Sequence, residues 1–264
     1  MRHIAVVRAL VGVVAAVLAS SLVAVPAVAS SPDPSMGTGS WPGGAVVIVQ
    51  LHGADGAPVT SNDLIATIGV IQARLAALGM SDVNINGIAD DRLRIDIADP
   101  AARDVVARMA TAPGNVEFVG VPEAFASAIE DGGPLPSGMV AQPLFGSEGV
   151  AAARLGTTAS GLIAVDIDLQ PAAAQAFDAY AADNQGQRFA IVLDGVVIEA
   201  PTINARNFNG HAQISGGFDD QGARELIALL TAGVLPLAAE LVQECPASGS
   251  CPGPSASPSV APGG

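Results

Sequence analysis

The alternation of apolar and polar positions predicts both helices and strands in the first half of the chain. Residues 45–51 are mostly β-branched and apolar, which is typical of a buried strand. Thr60 and Asp63 form a capping-box pattern, apolar residues then recur at helical spacing, and Gly79 ends the helix. The apolar residues at that spacing are Leu64, Ile65, Ile68, Ile71, Leu75 and Leu78.

Two further strands and a second helix follow. Residues 83–88 and 92–97 flank Asp90-Asp91, which predicts a hairpin turn. Asp99-Pro100 is typical of a helix start, because aspartate caps the helix and proline suits its first position. Residues 115–121 predict one more strand. The resulting order, β-α-β-β-α-β, is the ferredoxin-like arrangement.

A second unit that mixes helices and strands begins near Val140. Residues 162–169 alternate apolar residues with Asp166 and Asp168, as a strand with one exposed face does. Asp194-Gly195 separates two apolar runs and predicts a tight hairpin turn, since both central positions of the favoured turn need positive φ. The other predicted elements are a helix over 171–184, strands over 189–193, 196–200 and 210–216, a helix from Asp219 to Gly233, and a strand over 237–242.

Residues 1–29 have the pattern of a secretory signal peptide. Arg2 and Arg8 precede an uncharged apolar run over residues 9–25, and Ala27-Val28-Ala29 supplies small residues at the cleavage position. The alternative is an uncleaved membrane anchor, since the run is about as short as a spanning helix can be. The sequence therefore predicts an exported, extracytoplasmic protein that is secreted, held in the cell envelope, or anchored by this segment.

The segments that flank the predicted folded part are rich in proline, glycine and serine. Residues 30–44 are typical of a flexible linker, and residues 244–264 of a disordered tail. Cys245 and Cys251 lie in this tail, where they could close a small disulfide loop or remain free thiols.

Composition limits the classes of partner. The 264-residue chain contains 11 arginines and no lysine against 25 acidic residues, for a formal net charge of −14. Such a surface repels nucleic acid and anionic lipid. We therefore expect no nucleic-acid partner, and membrane contact only if the N-terminal segment stays uncleaved.

Four motifs over residues 189–236 stand in the order found in the SecD family, a membrane subunit of the bacterial SecDF protein-export machinery. They read AIVLDG, VIxAP, GxAQISG and AREL…LTAGVLP. A second part, VIxxRLxxLG over residues 70–79 followed by Asp91-Arg92-Leu93, resembles the base subdomain of the same family. Val116-Glu117-Phe118 is similar to the end of that base. Together the motifs resemble the periplasmic domain of SecD over most of residues 45–243.

The resemblance implies an α+β fold in which a ferredoxin-like base carries an inserted α+β head subdomain. The base is expected over residues 45–121 and is completed by residues 237–243. Residues 122–139 are then a connector, and residues 140–236 form the head. In the family, proton coupling uses polar residues of transmembrane helices, and no segment after residue 29 has the pattern of such a helix.

Polar residues that could carry chemistry have architectural explanations. His52 and His211 lack the spaced partners of a metal site, and Asp90-Asp91 and Asp219-Asp220 lack the alternating pattern of a calcium loop. The glycines at positions 210, 216 and 217 have no lysine of a phosphate-binding loop, and Pro201 serves to end a strand. The sequence therefore predicts no catalytic, cofactor-binding or metal-binding residue, and it identifies no binding residue.

The resemblance implies a non-enzymatic exported domain that binds unfolded or translocating polypeptide in support of protein export. Its partners would be unfolded polypeptide or the export machinery, bound in a groove between base and head or by strand addition at an open sheet edge. The alternative is an extracytoplasmic structural or interaction module that uses the fold for a different partner. The oligomeric state and the use of a cofactor are not indicated by any motif.

Overall fold

Three antiparallel sheets and four α-helices build the part of the chain that our computed structural model describes, residues 41 and 43–246 apart from 141 and 216. The signal, most of the linker, Cys251 and Gly216 lie outside that part, so the disulfide that Cys245 and Cys251 could close stays a prediction. In chain order the elements are β1 Ala45–His52, α1 Ser61–Ala77, β2 Val83–Ala89, β3 Arg92–Ile97, α2 Arg103–Thr111, β4 Val116–Gly120, β5 Pro143–Gly146, β6 Val150–Thr157, β7 Ile163–Leu169, α3 Pro171–Asp183, β8 Phe189–Leu193, β9 Val196–Glu199, β10 His211–Ile214, α4 Asp220–Ala232 and β11 Ala238–Pro246.

The base sheet has the order β11-β1-β3-β2, which is the ferredoxin-like order with β11 as its fourth strand. One predicted strand is present as β4, but its expected place in the base was wrong. The strand expected over residues 115–121 to close the base pairs instead with β5 and β8 in the head. Its five residues include buried Val116, Phe118 and Val119, and these lie in the cores of the head. The chain leaves the base after α2 and rejoins the base sheet only with β11.

Local signals at the helix ends act as predicted. The Thr60 side chain accepts a hydrogen bond from Asp63 N, and the Asp63 carboxylate accepts one from Thr60 N, so the capping box is complete. Asp99 accepts a bond from Ala101 N and starts a 3-10 turn that leads into α2. Asp219 caps α4 through Gly222 N, at 2.7 Å. Ile65, expected on the apolar face of α1, is instead 66% exposed.

The head consists of two sheets, β5-β4-β8-β9 and β10-β7-β6, with α3 and part of α4 packed against them. β5 and β6 were not predicted. Residues 122–139 are more than a connector, since buried Ile129 packs with Val192 and Val197, and Phe125 and Leu135 pack against the same cluster. Residues 132 and 133 exchange main-chain hydrogen bonds with Val197, so this segment also covers the free edge of β9.

α4 packs into both parts of the fold. Ala223 and Leu226 lie in the core of the head, whereas Ala228 and Leu229 lie in the core of the base, which also contains Leu75 of α1. One helix therefore joins the two apolar cores, and the position of the head depends on the residues where the chain crosses between them.

Arg74 of α1 lies at that crossing and is fully buried. Its Nη1 donates to the carbonyls of Met109 and Ala112 at 2.9 and 2.6 Å, and its Nη2 donates to those of Pro113 and Gly233 at 2.9 and 2.7 Å. Burial lowers the pKa of Arg74 to about 10, and Asp194 opposes part of that shift. The guanidinium is charged at neutral pH. It holds the segment after α2, at Pro113, next to the segment after α4, at Gly233.

Candidate functional site

A cavity of about 550 Å³ lies in the head, and phenylalanine side chains line it. Five of the seven phenylalanines in the chain contribute to it. These residues, which together define the phenylalanine cavity, are Phe118, Phe145, Phe177, Phe189 and Phe208. Pockets of this size hold groups as large as several side chains, and the phenylalanine lining favours apolar groups among them.

The five rings contact one another in a chain across the cavity. The ring centres of Phe118 and Phe145 are 4.5 Å apart, and Phe177 lies 4.8 Å from both Phe189 and Phe208. Offset and tilted aromatic pairs at such distances stabilise each other beyond the effect of burial. The ring surface that faces the cavity is therefore held in place before any ligand binds.

Each ring comes from a different part of the head. Phe118 lies on β4, Phe145 on β5, Phe177 on α3 and Phe189 on β8. Phe208 lies in the loop between β9 and β10, where its main-chain N–H donates to the Asp178 carboxylate of α3 at 2.7 Å. Phe208 is half-buried, whereas the other four are buried. It is thus the ring nearest to solvent and the one most accessible to a ligand.

Polar side chains of the β10-β7-β6 sheet form one margin of the cavity. Asp168 accepts hydrogen bonds from Arg154 at 2.5 Å and from His211 Nδ1 at 2.8 Å. These bonds, with that from Arg154 the stronger, lower the pKa of Asp168 to about 2. Gln213 donates to Asp166 at 2.7 Å. The carboxylates at this margin are already paired, which leaves the aromatic surface as the ligand-accepting part of the site.

A second hollow, of about 540 Å³, lies at the start of α1 in the base. Its lining combines Leu64 and Ile88 with polar residues such as Thr60 and Asp90. It lacks the aromatic surface of the phenylalanine cavity, and the residues around it serve the helix cap and the β2–β3 turn. We therefore regard the phenylalanine cavity as the candidate functional site.

Several residues named in the sequence analysis line this cavity, namely Phe118, Asp166, Asp168, Pro201 and His211. Gly210 does not line it but directly precedes β10, where its positive φ of 75° suits glycine. Asp90-Asp91 forms a turn between β2 and β3. His52 lies at the end of β1, where it contacts Glu240 at 3.3 Å.

Asp194-Gly195 forms the predicted hairpin turn, with φ values of 50° and 82°. The Asp194 carboxylate also accepts hydrogen bonds from the main-chain N–H groups of Gly114 and Asn115, at 3.2 and 2.8 Å. It therefore holds the segment between α2 and β4, close to Arg74. Its role is structural, as the turn explanation implied.

In the described residues, no group of three or more His, Cys, Asp or Glu side chains is placed to hold a metal ion. Likewise, no helix among them is long and apolar enough to cross a bilayer.

Comparison with known proteins confirms the resemblance seen in the sequence. Residues 128–237 match the family model for the SecDF P1 head subdomain. The protein translocase subunit SecD of Acetobacter pasteurianus is 31% identical over 192 residues, which cover 67% of this chain and 37% of that protein. SecD of Dictyoglomus turgidum is 25% identical over 201 residues, which cover 76% of this chain and 46% of that protein. The chain thus spans less than half the length of these two relatives.

Two solved structures confirm the α+β fold. SecDF in its super-membrane-facing form matches with a TM-score of 0.64 at 24% identity, over 76% of this chain and 30% of the SecDF chain. A structure of SecDF, described as a membrane component that enhances protein export, matches with a TM-score of 0.61 at 23% identity. That match covers 75% of this chain and 98% of the other.

Proposed function

Since the described part of the chain has the sequence and fold of a SecD periplasmic domain, we propose that it acts outside the cytoplasm in support of protein export. Its role is to hold unfolded or translocating polypeptide by non-covalent contact. SecD and SecDF are components of protein translocation rather than known enzymes, and the proposed role requires no catalysis.

The phenylalanine cavity is the observation that carries this proposal. Its rings are ordered in advance and lie open on one side, where Phe208 is half-buried. An apolar side chain that enters loses contact with water, at roughly 25 cal/mol for each Å² of apolar surface buried. Binding of this kind depends on the size and apolarity of the side chain that enters and not on a particular sequence. A site for many different unfolded chains needs this tolerance.

The acidic surface agrees with this role. A formal net charge of −14 disfavours nucleic acid and anionic lipid, whereas it tolerates neutral or basic polypeptide. We propose further that the N-terminal segment directs export and is then cleaved. N-terminal sequencing of the protein from its native cell tests this point: a mature N-terminus near residue 30 supports cleavage, and an intact Met1 indicates an anchor.

The binding proposal is tested with a short fluorescein-labelled peptide that alternates phenylalanine and serine, followed by fluorescence anisotropy. The variant Phe208→Ala removes the most accessible ring from the cavity. Loss of an aromatic contact at a binding site costs about 1–2 kcal/mol, or roughly 5- to 30-fold in Kd. We expect a weakening within that range.

The variant Phe218→Ala is the matched control. Phe218 is half-buried and packs against the same core, but it does not line the cavity. It should bind the peptide as the wild type does. Equal weakening by both variants would point to a general loss of structure, and absence of binding by the wild type would contradict the proposal. Recovery from the cell envelope of partners unrelated to export would favour an interaction module of another kind.

A further inference from the structure

The phenylalanine cavity opens between two stretches of extended chain. One side of the opening is β10, with His211, Ala212 and Gln213 in the lining. The other side is the segment after β9, with residues 201–204 in the lining. His211 and Gln213 on one stretch, and Pro201, Thr202 and Asn204 on the other, are exposed, so the cavity is accessible to a ligand along these two stretches.

The direction of the main-chain groups of β10 follows from its hydrogen bonds. Leu169 N donates to Gly210 O at 2.8 Å, so Gly210 points toward β7. In an antiparallel ladder successive residues point to opposite sides, which turns His211, Gln213 and Ser215 away from β7. Two bonds confirm this alternation, since His211 N donates to Phe208 O and Ser215 N donates to the Glu199 carboxylate at 2.8 Å.

Gln213 is the residue at the centre of this outer edge. Hydrogen bonds on the outward side occupy the N–H groups of its neighbours at 211 and 215. Among the described residues, no hydrogen bond involves the main-chain N–H or C=O of Gln213. The opposite side of the opening is arranged in the same way. Pro201 O and Ile203 N bond to Phe189 N and Gln187 O, which turns the main-chain groups of Thr202 away from β8.

The Glu199 carboxylate shows that a hydrogen-bond acceptor can lie beside this edge. It receives bonds from both the N–H and the hydroxyl of Ser215, at 2.8 and 2.7 Å. A carboxylate oxygen there occupies the position that a carbonyl of a neighbouring strand would take. The edge is thus closed at Ser215 and open at Gln213, directly beside the cavity.

We propose that an extended polypeptide segment adds as a strand to the outer edge of β10 and exchanges main-chain hydrogen bonds with Gln213. Side chains of an extended segment alternate between two sides, so every second one can enter the phenylalanine cavity. This inference rests on the proposed function and specifies its geometry: the main chain binds the strand edge, and the side chains bind the rings. Sequence tolerance follows because main-chain bonds are the same for every sequence.

The test compares Gln213→Pro with Gln213→Ala. Both variants remove the side-chain bond to Asp166, but only proline also removes the outward N–H, and neither removes an N–H that points to β7. Binding of the labelled peptide should weaken about tenfold or more in Gln213→Pro and less than about twofold in Gln213→Ala. The anionic aromatic dye anilinonaphthalene sulfonate, whose rings need only an apolar cavity and no strand edge, should bind both variants equally.

A second measurement does not depend on the fold of the proline variant. A peptide N-methylated at alternate main-chain positions, which removes the donors for Gln213 O, should bind the wild type about tenfold more weakly than its unmethylated form. Equal affinity of both peptides, or equal binding by the two variants, overturns the strand-addition geometry while the cavity proposal stands. Failure of the wild type to bind either peptide overturns both proposals. A dimer that forms with rising concentration and is lost in Gln213→Pro would show that the edge serves a second copy, which also overturns the inference.

Discussion

Replacing Arg74 with methionine tests how the base and the head are joined. Methionine keeps a long side chain in the same space but removes the charge and the four hydrogen bonds to the carbonyls of Met109, Ala112, Pro113 and Gly233. These carbonyls belong to the two segments where the chain crosses between the subdomains. The variant therefore leaves these carbonyls without the donor that the buried guanidinium supplies.

The expected magnitude follows from burial. Bonds from a charged donor are worth about 1.5–3 kcal/mol each, but the desolvation of the buried guanidinium offsets part of their sum. A buried acceptor left without a partner costs about 1–3 kcal/mol, and the lower end applies here because three of the four carbonyls are only partly buried. We expect about 4 kcal/mol for Arg74→Met, which in a domain of this size lowers Tm by about 8–16 °C. Arg74→Lys should fall between this variant and the wild type, since one ammonium cannot reach all four carbonyls.

Urea unfolding followed by circular dichroism measures the effect, with Arg108→Met as the control. Arg108 pairs with Glu225 at 2.6 Å, but its side chain is 51% exposed. Exposed pairs contribute about 1 kcal/mol or less, so the control should remain close to the wild type. A loss below about 1 kcal/mol in Arg74→Met, no larger than in the control, would refute the reasoning.

Two further predictions concern other positions. The pKa of Asp168, lowered by Arg154 to about 2, lies below its unfolded value of about 3.9. The ionised Asp168 carboxylate therefore stabilises the folded state fully above about pH 4, and this stabilisation is lost as pH falls through 2. Asp168→Asn should thus destabilise the protein near neutral pH and have little effect near pH 2, and urea unfolding that gave equal losses at both would contradict this. Gly120→Ala places a Cβ 2.5 Å from Tyr180 Cζ and should cost about 1–3 kcal/mol, whereas Gly69→Ala, in α1 with open space around it, should stabilise by about 0.5–1 kcal/mol. Thermal unfolding checks both glycine variants, and changes of the same sign would contradict the packing argument.

Local features of this fold could be predicted because neighbouring residues determine them. The capping box at Thr60, the cap at Asp99 and the Asp194-Gly195 turn each depend on residues within four positions of one another. Their side chains bond the main chain beside them whatever the rest of the molecule does.

Strand partners could not be assigned in the same way. The pattern of β4 suits any central strand with two buried faces, and nothing in it distinguishes the base sheet from the head sheet. β6 escaped prediction because its sequence, VAAARLGT, is rich in alanine, which is uncommon in strands. The predicted tail began too early, since β11 extends to Pro246 through pairing with β1.

The phenylalanine cavity has no signal in the sequence. Its five rings come from three strands, one helix and one loop, so they share no spacing. The sequence suggested a groove between base and head or an open sheet edge. The cavity lies within the head, beside the open edge of β10, and both binding locations suggested by the sequence stay predictions.

The most direct test of polypeptide capture is site-specific photo-crosslinking. A benzoylphenylalanine at Thr202, exposed at the cavity opening, is compared with one at Asn84, exposed on β2 of the base. With an unfolded polypeptide added, the account predicts adducts from position 202, identified by mass spectrometry, and few from position 84. Equal yields at the two positions, or none at 202, would contradict it.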